Sequence, residues 1–196
     1  MYNLIMRYEP DHKTRTHERI VKSASRQFRA KGLNGPGVAT LMKASGLTHG
    51  GFYKHFRSRD DLLAEAIDES LRDIRTRLIA AAENAPPGEG WKEIVTRYLS
   101  LEHCERADTG CPIAALAPEI ARAAPAVKRR IALSLRTHRE ELMVFVPGGD
   151  PAERERNFIV AFTAMAGAVS LARTLTDPAR RQKILDTVRE HLLRTL

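Results

Sequence analysis

No run in this chain alternates strictly between apolar and polar residues, and nearly every segment repeats its apolar positions at helical spacing. Ile20, Ala24 and Phe28 recur every four residues, Val21 widens that stripe, and Gly32 stands where a cap glycine would end a helix running from about His17 to Lys31. Val38, Leu41 and Met42 form a second, short face that Gly46 terminates. Phe52 and Phe56 form a third, after Thr48 at an N-cap position. Ser58 with Asp61 three residues on has the form of a capping box and opens a long stripe, Leu63, Ile67, Leu71, Ile74 and Leu78, that continues to Ala85. Pro86, Pro87, Gly88 and Gly90 then break the chain. Longer stripes follow from Trp91 to Leu101, Ile113 to Ala123, Val127 to Phe145, Ala152 to Leu175 and Pro178 to Leu196. This pattern predicts an all-α fold of about nine helices, in which three short helices precede a larger helical body.

Charge divides the chain at the same place. Of the net charge of +8, all is carried by residues 1–60, where twelve Lys and Arg face four Asp and Glu; the rest of the chain holds twenty of each sign. A basic N-terminal unit on a neutral body points to a polyanionic partner, and on charge alone nucleic acid and anionic membrane both qualify. No stretch reaches the ~18 consecutive apolar residues of a membrane span. The N-terminal MYNLIMRYEPDH lacks the basic start and apolar run of a signal peptide, so a cytoplasmic protein with no membrane partner is expected. Two cysteines, Cys104 and Cys111, are too few for a disulfide scaffold and read as thiols in a reducing compartment. Their single C-x6-C spacing is wrong for structural zinc. There is no Gly-rich phosphate loop, HExxH, GxSxG or paired-carboxylate arrangement, so we expect no catalytic residues, metal or cofactor, and no enzyme.

The segment Val38 to Phe56, VATLMKASGLTHGGFYKHF, has the parts of a helix-turn-helix: a supporting helix, a turn on Gly46, and a second helix opened by Thr48. With Leu47, Phe52 and Phe56 turned inward, Thr48, His49, Gly50, Gly51, Tyr53, Lys54 and His55 are left on the outer surface, where donors and a cation suit phosphates and base edges. Two adjacent glycines cost about 1 kcal/mol each in a helix relative to alanine. Either DNA approaches their backbone closely, or the fold simply tolerates them.

The stretch GLTHGGFYKHFRSRDDLL resembles the signature of the tetracycline-repressor (TetR) family of bacterial regulators, with Gly46, Tyr53, His55, Phe56, Asp61 and Leu62 at the positions of its pattern. The resemblance implies an N-terminal helix-turn-helix DNA-binding domain, residues 1–58, and a C-terminal helical effector-binding and dimerisation domain, residues 59–196. It implies a homodimeric repressor that a small molecule releases from a double-stranded, pseudo-palindromic operator. Thr48, His49, Gly50, Gly51, Tyr53, Lys54, His55 and Arg59 are then the DNA contacts, with Tyr53 and His55 on phosphate. Where the family often has a hydroxyl capping the supporting helix, this chain has Gly35-Pro36-Gly37-Val38, and Ala39 replaces a common arginine. One or two phosphate contacts on this side are then either absent or moved to Lys43 or to Arg15 and Thr16.

In the body, the Ala- and Gly-rich run from Phe158 to Ala172 suits close helix packing, as a core helix or as a dimer face. Family resemblance favours the dimer face, with Phe158, Ala161, Ala164, Ala168, Ala172, Ile184 and Val188 as its candidate residues. Trp91, Tyr98, His103, His138, Phe145, Phe162 and Met165 are candidates for lining an effector pocket of apolar character, or are ordinary core. Cys104 and Cys111 are either packing residues or a thiol sensor whose thiolate His103 and Arg106 would favour. A thiol in this region responds to electrophiles or oxidants in a subset of the family.

Overall fold

The computed structural model describes residues 10–196; the residues before Pro10, on which most of the signal-peptide reading falls, lie outside the described residues. Nine α-helices and two 3-10 segments make up the regular structure, with no strand among the described residues. Helix α1 (Pro10–Lys31) starts earlier than its apolar stripe. A proline in the first turn lacks only an N–H that would have no helical partner, and residues 12–15 are exposed, so these extra turns carry no apolar signal. At its far end Gly32, with φ +77°, donates its N–H to Phe28 O at 2.9 Å and closes the helix in a conformation that L side chains rarely adopt.

Helix α2 (Val38–Ala44), a turn on Gly46, a 3-10 segment (His49–Lys54) and the long helix α3 (Arg59–Glu83) follow. Ser58 Oγ accepts the Asp61 N–H at 3.1 Å, which is half of the anticipated capping box. The stripe from Trp91 to Leu101 proves to be two helices, α4 (Gly90–Tyr98) and α5 (Leu101–Glu105), because Ser100 accepts the His103 N–H at 3.1 Å and caps a new start. Helices α6 (Pro112–Ala121), α7 (Pro125–Leu142), α8 (Pro151–Arg173) and α9 (Pro178–Thr195) each open on proline, and a 3-10 turn, Met143–Phe145, extends α7.

Helix α3 is the spine: α1 and α7 lie along it, α4 packs on its later half, and α8 pairs with α9. Its first half, from Leu62 to Leu71, closes a core with Ile20, Phe28, Leu41, Phe52 and Phe56, joined by Leu116, Ile120, Val127 and Ile131 of α6 and α7. Its second half, from Ile74 to Ala82, belongs to a separate body core with Trp91, Tyr98, Phe158, Val169 and Leu185. The two cores therefore meet inside α3, and the N-terminal head is seated on α6 and α7 as well as joined through α3. No helix among the described residues is long and apolar enough to cross a membrane.

Candidate nucleic-acid interface

Leu41 and Met42 are fully buried and fix α2 to the head core, while Gly46, at φ +71°, turns the chain so that Leu47 N–H reaches Met42 O at 2.9 Å. The recognition segment that follows is a 3-10 helix rather than the α-helix expected. It spans six residues and includes both glycines, and Gly51 N–H binds Thr48 O at 3.1 Å in the i to i+3 pattern. Thr48 has the extended backbone of an N-cap, yet its hydroxyl makes no cap bond. Phe52, buried and 5.4 Å from Phe56, anchors the segment to the core.

Thr48, His49, Gly50, Tyr53 and Lys54 stand exposed together, Tyr53 at 71% of its surface. A Cβ at Gly50 would meet nothing within 4 Å, and at Gly51 only Met42 Cε at 3.6 Å and Thr48 Oγ1 at 4.0 Å, ordinary contacts. Neither glycine has positive φ. The chain's own packing thus needs neither glycine. Lys43 and Arg15 are exposed beside this surface, but Thr16 is buried and is no phosphate ligand. The cap of α2 is Gly37 and offers no side-chain contact, as its sequence implied.

Two expected contacts are placed otherwise. Arg59 turns inward: its Nη2 donates to Leu33 O and, at 3.4 Å, to Pro36 O, and its guanidinium lies 5.5 Å from the Phe28 ring centroid. It braces the loop before α2 instead of facing solvent, because two loop carbonyls there lack helical donors. His55 is only half exposed, with its ring centroid 6.0 Å from that of His17. Burial first, and then the positive neighbours His17, Lys13 and Lys54, hold its imidazole below the usual histidine range, so it is no cationic phosphate contact at neutral pH.

The sequence reading missed most of a basic groove on the outer face of α1. Arg15, Arg19, Lys22 and Arg26 follow one another at intervals of four, three and four residues, joined by Lys31, with Glu18 the one acidic lining residue. Arg19, Lys22 and Arg26 form no ion pair among the described residues, whereas Arg72, Arg75, Arg97, Arg130 and Arg189 of the body each meet a carboxylate. The helical spacing of these cations was the signal available in the sequence.

A helix-turn-helix surface of this geometry coincides with a match to a known family. Residues 20–66, from α1 into α3, match the bacterial regulatory proteins of the tetR family. The head of this chain is thus of the TetR type. It is 27% identical over 172 residues to an uncharacterized HTH-type transcriptional regulator of Mycobacterium tuberculosis, covering 82% of this chain and 85% of that one. It is 29% identical over 106 residues to the HTH-type transcriptional regulator LmrA of Bacillus subtilis, covering 53% and 56%. The crystal structure of a TetR-family regulator from Cytophaga hutchinsonii, 18% identical, shares the fold with a TM-score of 0.76 over 95% of this chain and 97% of that chain. The tetR-family match in the head and the similarity to HTH-type transcriptional regulators over most of the chain support a DNA-binding transcriptional regulator.

The body carries a cleft of about 430 Å³ between α3, the end of α4 and α5. Of the seven pocket candidates only Tyr98 and His103 line it; Trp91, His138 and Met165 are buried in the body, and Phe145 and Phe162 pack against its core. His138 lies 5.5 Å from Phe162, and burial pushes its pKa down to about 4. His103 is likewise pushed to about 4 by burial, with both ring nitrogens engaged: Nδ1 with Tyr98 O at 2.5 Å, and Nε2 accepting the Cys111 N–H at 2.9 Å. The surroundings of the two cysteines favour the packing reading. Cys104 and Cys111 are both buried, burial raises both thiol pKa values, His103 supplies no positive charge, and Arg106 turns to Glu102.

Candidate dimer residues also shift. Phe158, Ala161, Ala168 and Ala172 retain at most 7% exposure and have almost nothing left to bury against a second chain; Ala164, Ile184 and Val188 are half-buried. The outward face of α8 is instead Ile159, Val160, Thr163, Gly167 and Leu171, with Ile159, Val160 and Leu171 at 52%, 57% and 55% exposure. Helix α8 is apolar on both faces, so periodicity could not say which face turned inward.

Proposed function

We propose that this chain acts as a homodimeric repressor of a pseudo-palindromic operator. Its functional units are residues 1–58, which read DNA, and 59–196, which dimerise and bind an effector. Thr48, His49, Gly50, Gly51, Tyr53 and Lys54 enter the major groove, while Lys43 and the α1 groove from Arg15 to Arg26 hold phosphates. The observation that carries this reading is the exposed recognition segment, with an open Gly50 beside Tyr53 and Lys54 and anchored from below by Phe52. Pairing through the outward face of α8 buries its exposed apolar side chains and sets the two segments one DNA turn apart, roughly 34 to 36 Å.

The effector occupies the body cleft, whose Ile74, Leu78, Ala80 and Ala81 wall suits an apolar molecule. Its binding shifts the population away from the DNA-competent arrangement, so operator DNA must weaken the effector by the same factor that the effector weakens DNA. The test is a selection of bound sequences from random duplex DNA with the full chain. A two-fold symmetric site is the expected product, and enrichment of no site would refute the reading.

A further inference from the structure

Helix α5 has five residues, too few to satisfy its own terminal carbonyls, and guanidinium groups from three other helices satisfy those of α5 and the turn after it. Arg173 of α8 donates Nε to Cys104 O at 2.8 Å and Nη2 to His103 O at 3.1 Å. Arg77 of α3 donates to Thr109 O. Arg29, from the head, donates Nη1 to Gly110 O at 2.9 Å and Nε to Ser25 O of its own helix at 3.1 Å. The turn is tightly held: a Cβ at Gly110 would stand 2.8 Å from Arg173 Nη2 and 3.0 Å from the His103 ring.

Arg29 is an unusual residue to spend on two carbonyls. Its side chain is 1% exposed, and its carboxylate partner, Asp73, lies 3.9 Å away and is itself 45% exposed. Burial lowers its pKa to about 10, which still leaves it charged at neutral pH. A buried, incompletely paired charge gives up stability that an apolar side chain would supply, so its gain lies in the geometry it fixes. A second grip lies nearby, where Glu119 Oε1 of α6 accepts the Leu33 N–H at 2.9 Å, just past the end of α1.

Helix α1 is thus held at its C-terminal end by the flanks of α6. Toward its other end His17 stacks on Phe56 at 4.5 Å, two residues beyond the recognition segment. The twelve residue steps from His17 to Arg29 form a rod of roughly 18 Å, so a small rotation at the Arg29 end is carried to the segment. We propose that Arg29 and Glu119 are positioning residues that fix the angle of the head on the body, through α1 as well as through the continuous helix α3, and so set the half-site spacing the dimer accepts. The inference rests on the dimeric reading above. The same turn walls the body cleft through His103, Arg106 and Thr109, so an occupant of the cleft presses on the element that Arg29 holds.

The experiment presents the full-length protein with duplexes carrying the selected half-sites at spacings varied by one and two base pairs. Wild type is expected to prefer one spacing by at least tenfold. Arg29→Leu and Glu119→Ala should bind neighbouring spacings within about threefold of the best, with the half-site sequence unchanged, while Arg29→Lys recovers part of the preference. Glu119→Ala, which removes the Leu33 acceptor and leaves the buried Arg29 in place, carries the test if Arg29→Leu fails to fold. Variants that are folded and dimeric yet keep the wild-type preference, or lose affinity equally at every spacing, would overturn the proposal. Wild type selecting no paired half-sites would instead overturn the dimeric reading beneath it.

Discussion

The outer face of α1 and the surface of the body are both rich in arginine, yet they differ in what the arginines meet. On the body, Arg72, Arg97 and Arg189 each lie against a carboxylate one helical turn away, and such exposed pairs contribute little to stability and cancel one another's field. On α1, Arg19, Lys22 and Arg26 have no such partner among the described residues. Unpaired cations aligned on one face repel one another, and that repulsion is relieved by a polyanion. The alignment of unpaired cations along one helix face, more than the total charge, singles out the α1 groove as the candidate for a polyanion.

Breaking the α1 groove should therefore produce the largest effect. Replacing Arg19, Lys22 and Arg26 together by Gln is expected to weaken operator binding about 100-fold at low salt and to reduce the slope of log K against log salt by about 2 to 3. The same change at Arg72, Arg97 and Arg189 should alter binding less than twofold, and equal losses from both triple variants would erase the distinction. Next is Gly50→Ala, which places a methyl group in space that is open in the chain itself. Binding should fall about tenfold while the melting temperature holds or rises slightly, since alanine favours helical backbone over glycine by about 1 kcal/mol; a fall in melting temperature would show that the head, and not DNA, needs the glycine.

Acid should affect the body more than the head. His103 and His138 take up a proton near pH 6.5 when unfolded but only near 4 when folded, so the stability they carry is complete above about pH 6.5 and drains away as pH falls through 4. Each site contributes up to about 3 kcal/mol. Urea midpoints measured from pH 7 to 4 should fall, and His138→Leu should flatten the decline; an unchanged slope in that variant would remove His138 from the account. The smallest expected effect is at Arg59. Arg59→Ala should destabilise the head by about 1 to 3 kcal/mol through the orphaned carbonyls of Leu33 and Pro36, with DNA affinity following stability.

The sequence made the helices legible because their stripes are amphipathic and their ends carry Gly32, Ser58, Pro112 and Pro178, each a local signal. It also placed Thr48, His49, Tyr53 and Lys54 on one surface, since Phe52 and Phe56 fix the phase of that short segment. What it left hidden depended on long-range packing. Arg59 stands at the start of α3 in a basic region, and only the fold reveals that two loop carbonyls draw it inward. Helix α8 is apolar on two faces, so which alanines were core and which face was outward waited on its neighbours α6 and α9. His103 beside two cysteines looked like a source of positive charge, but burial and two hydrogen bonds hold it neutral. Short helices posed a further difficulty: a six-residue segment with two glycines has too little backbone bonding for propensity to separate α from 3-10 geometry.

Whether the segment from His49 to Lys54 reads DNA is answered most directly by titrating the selected operator with the Tyr53→Ala, Lys54→Ala double variant and following fluorescence anisotropy. Both side chains are exposed and outside the core, so the fold and the dimer should be untouched. Loss of about 100-fold in affinity with an unchanged melting temperature and an intact dimer is the predicted result. Affinity within twofold of wild type would place the reading surface elsewhere and contradict the account.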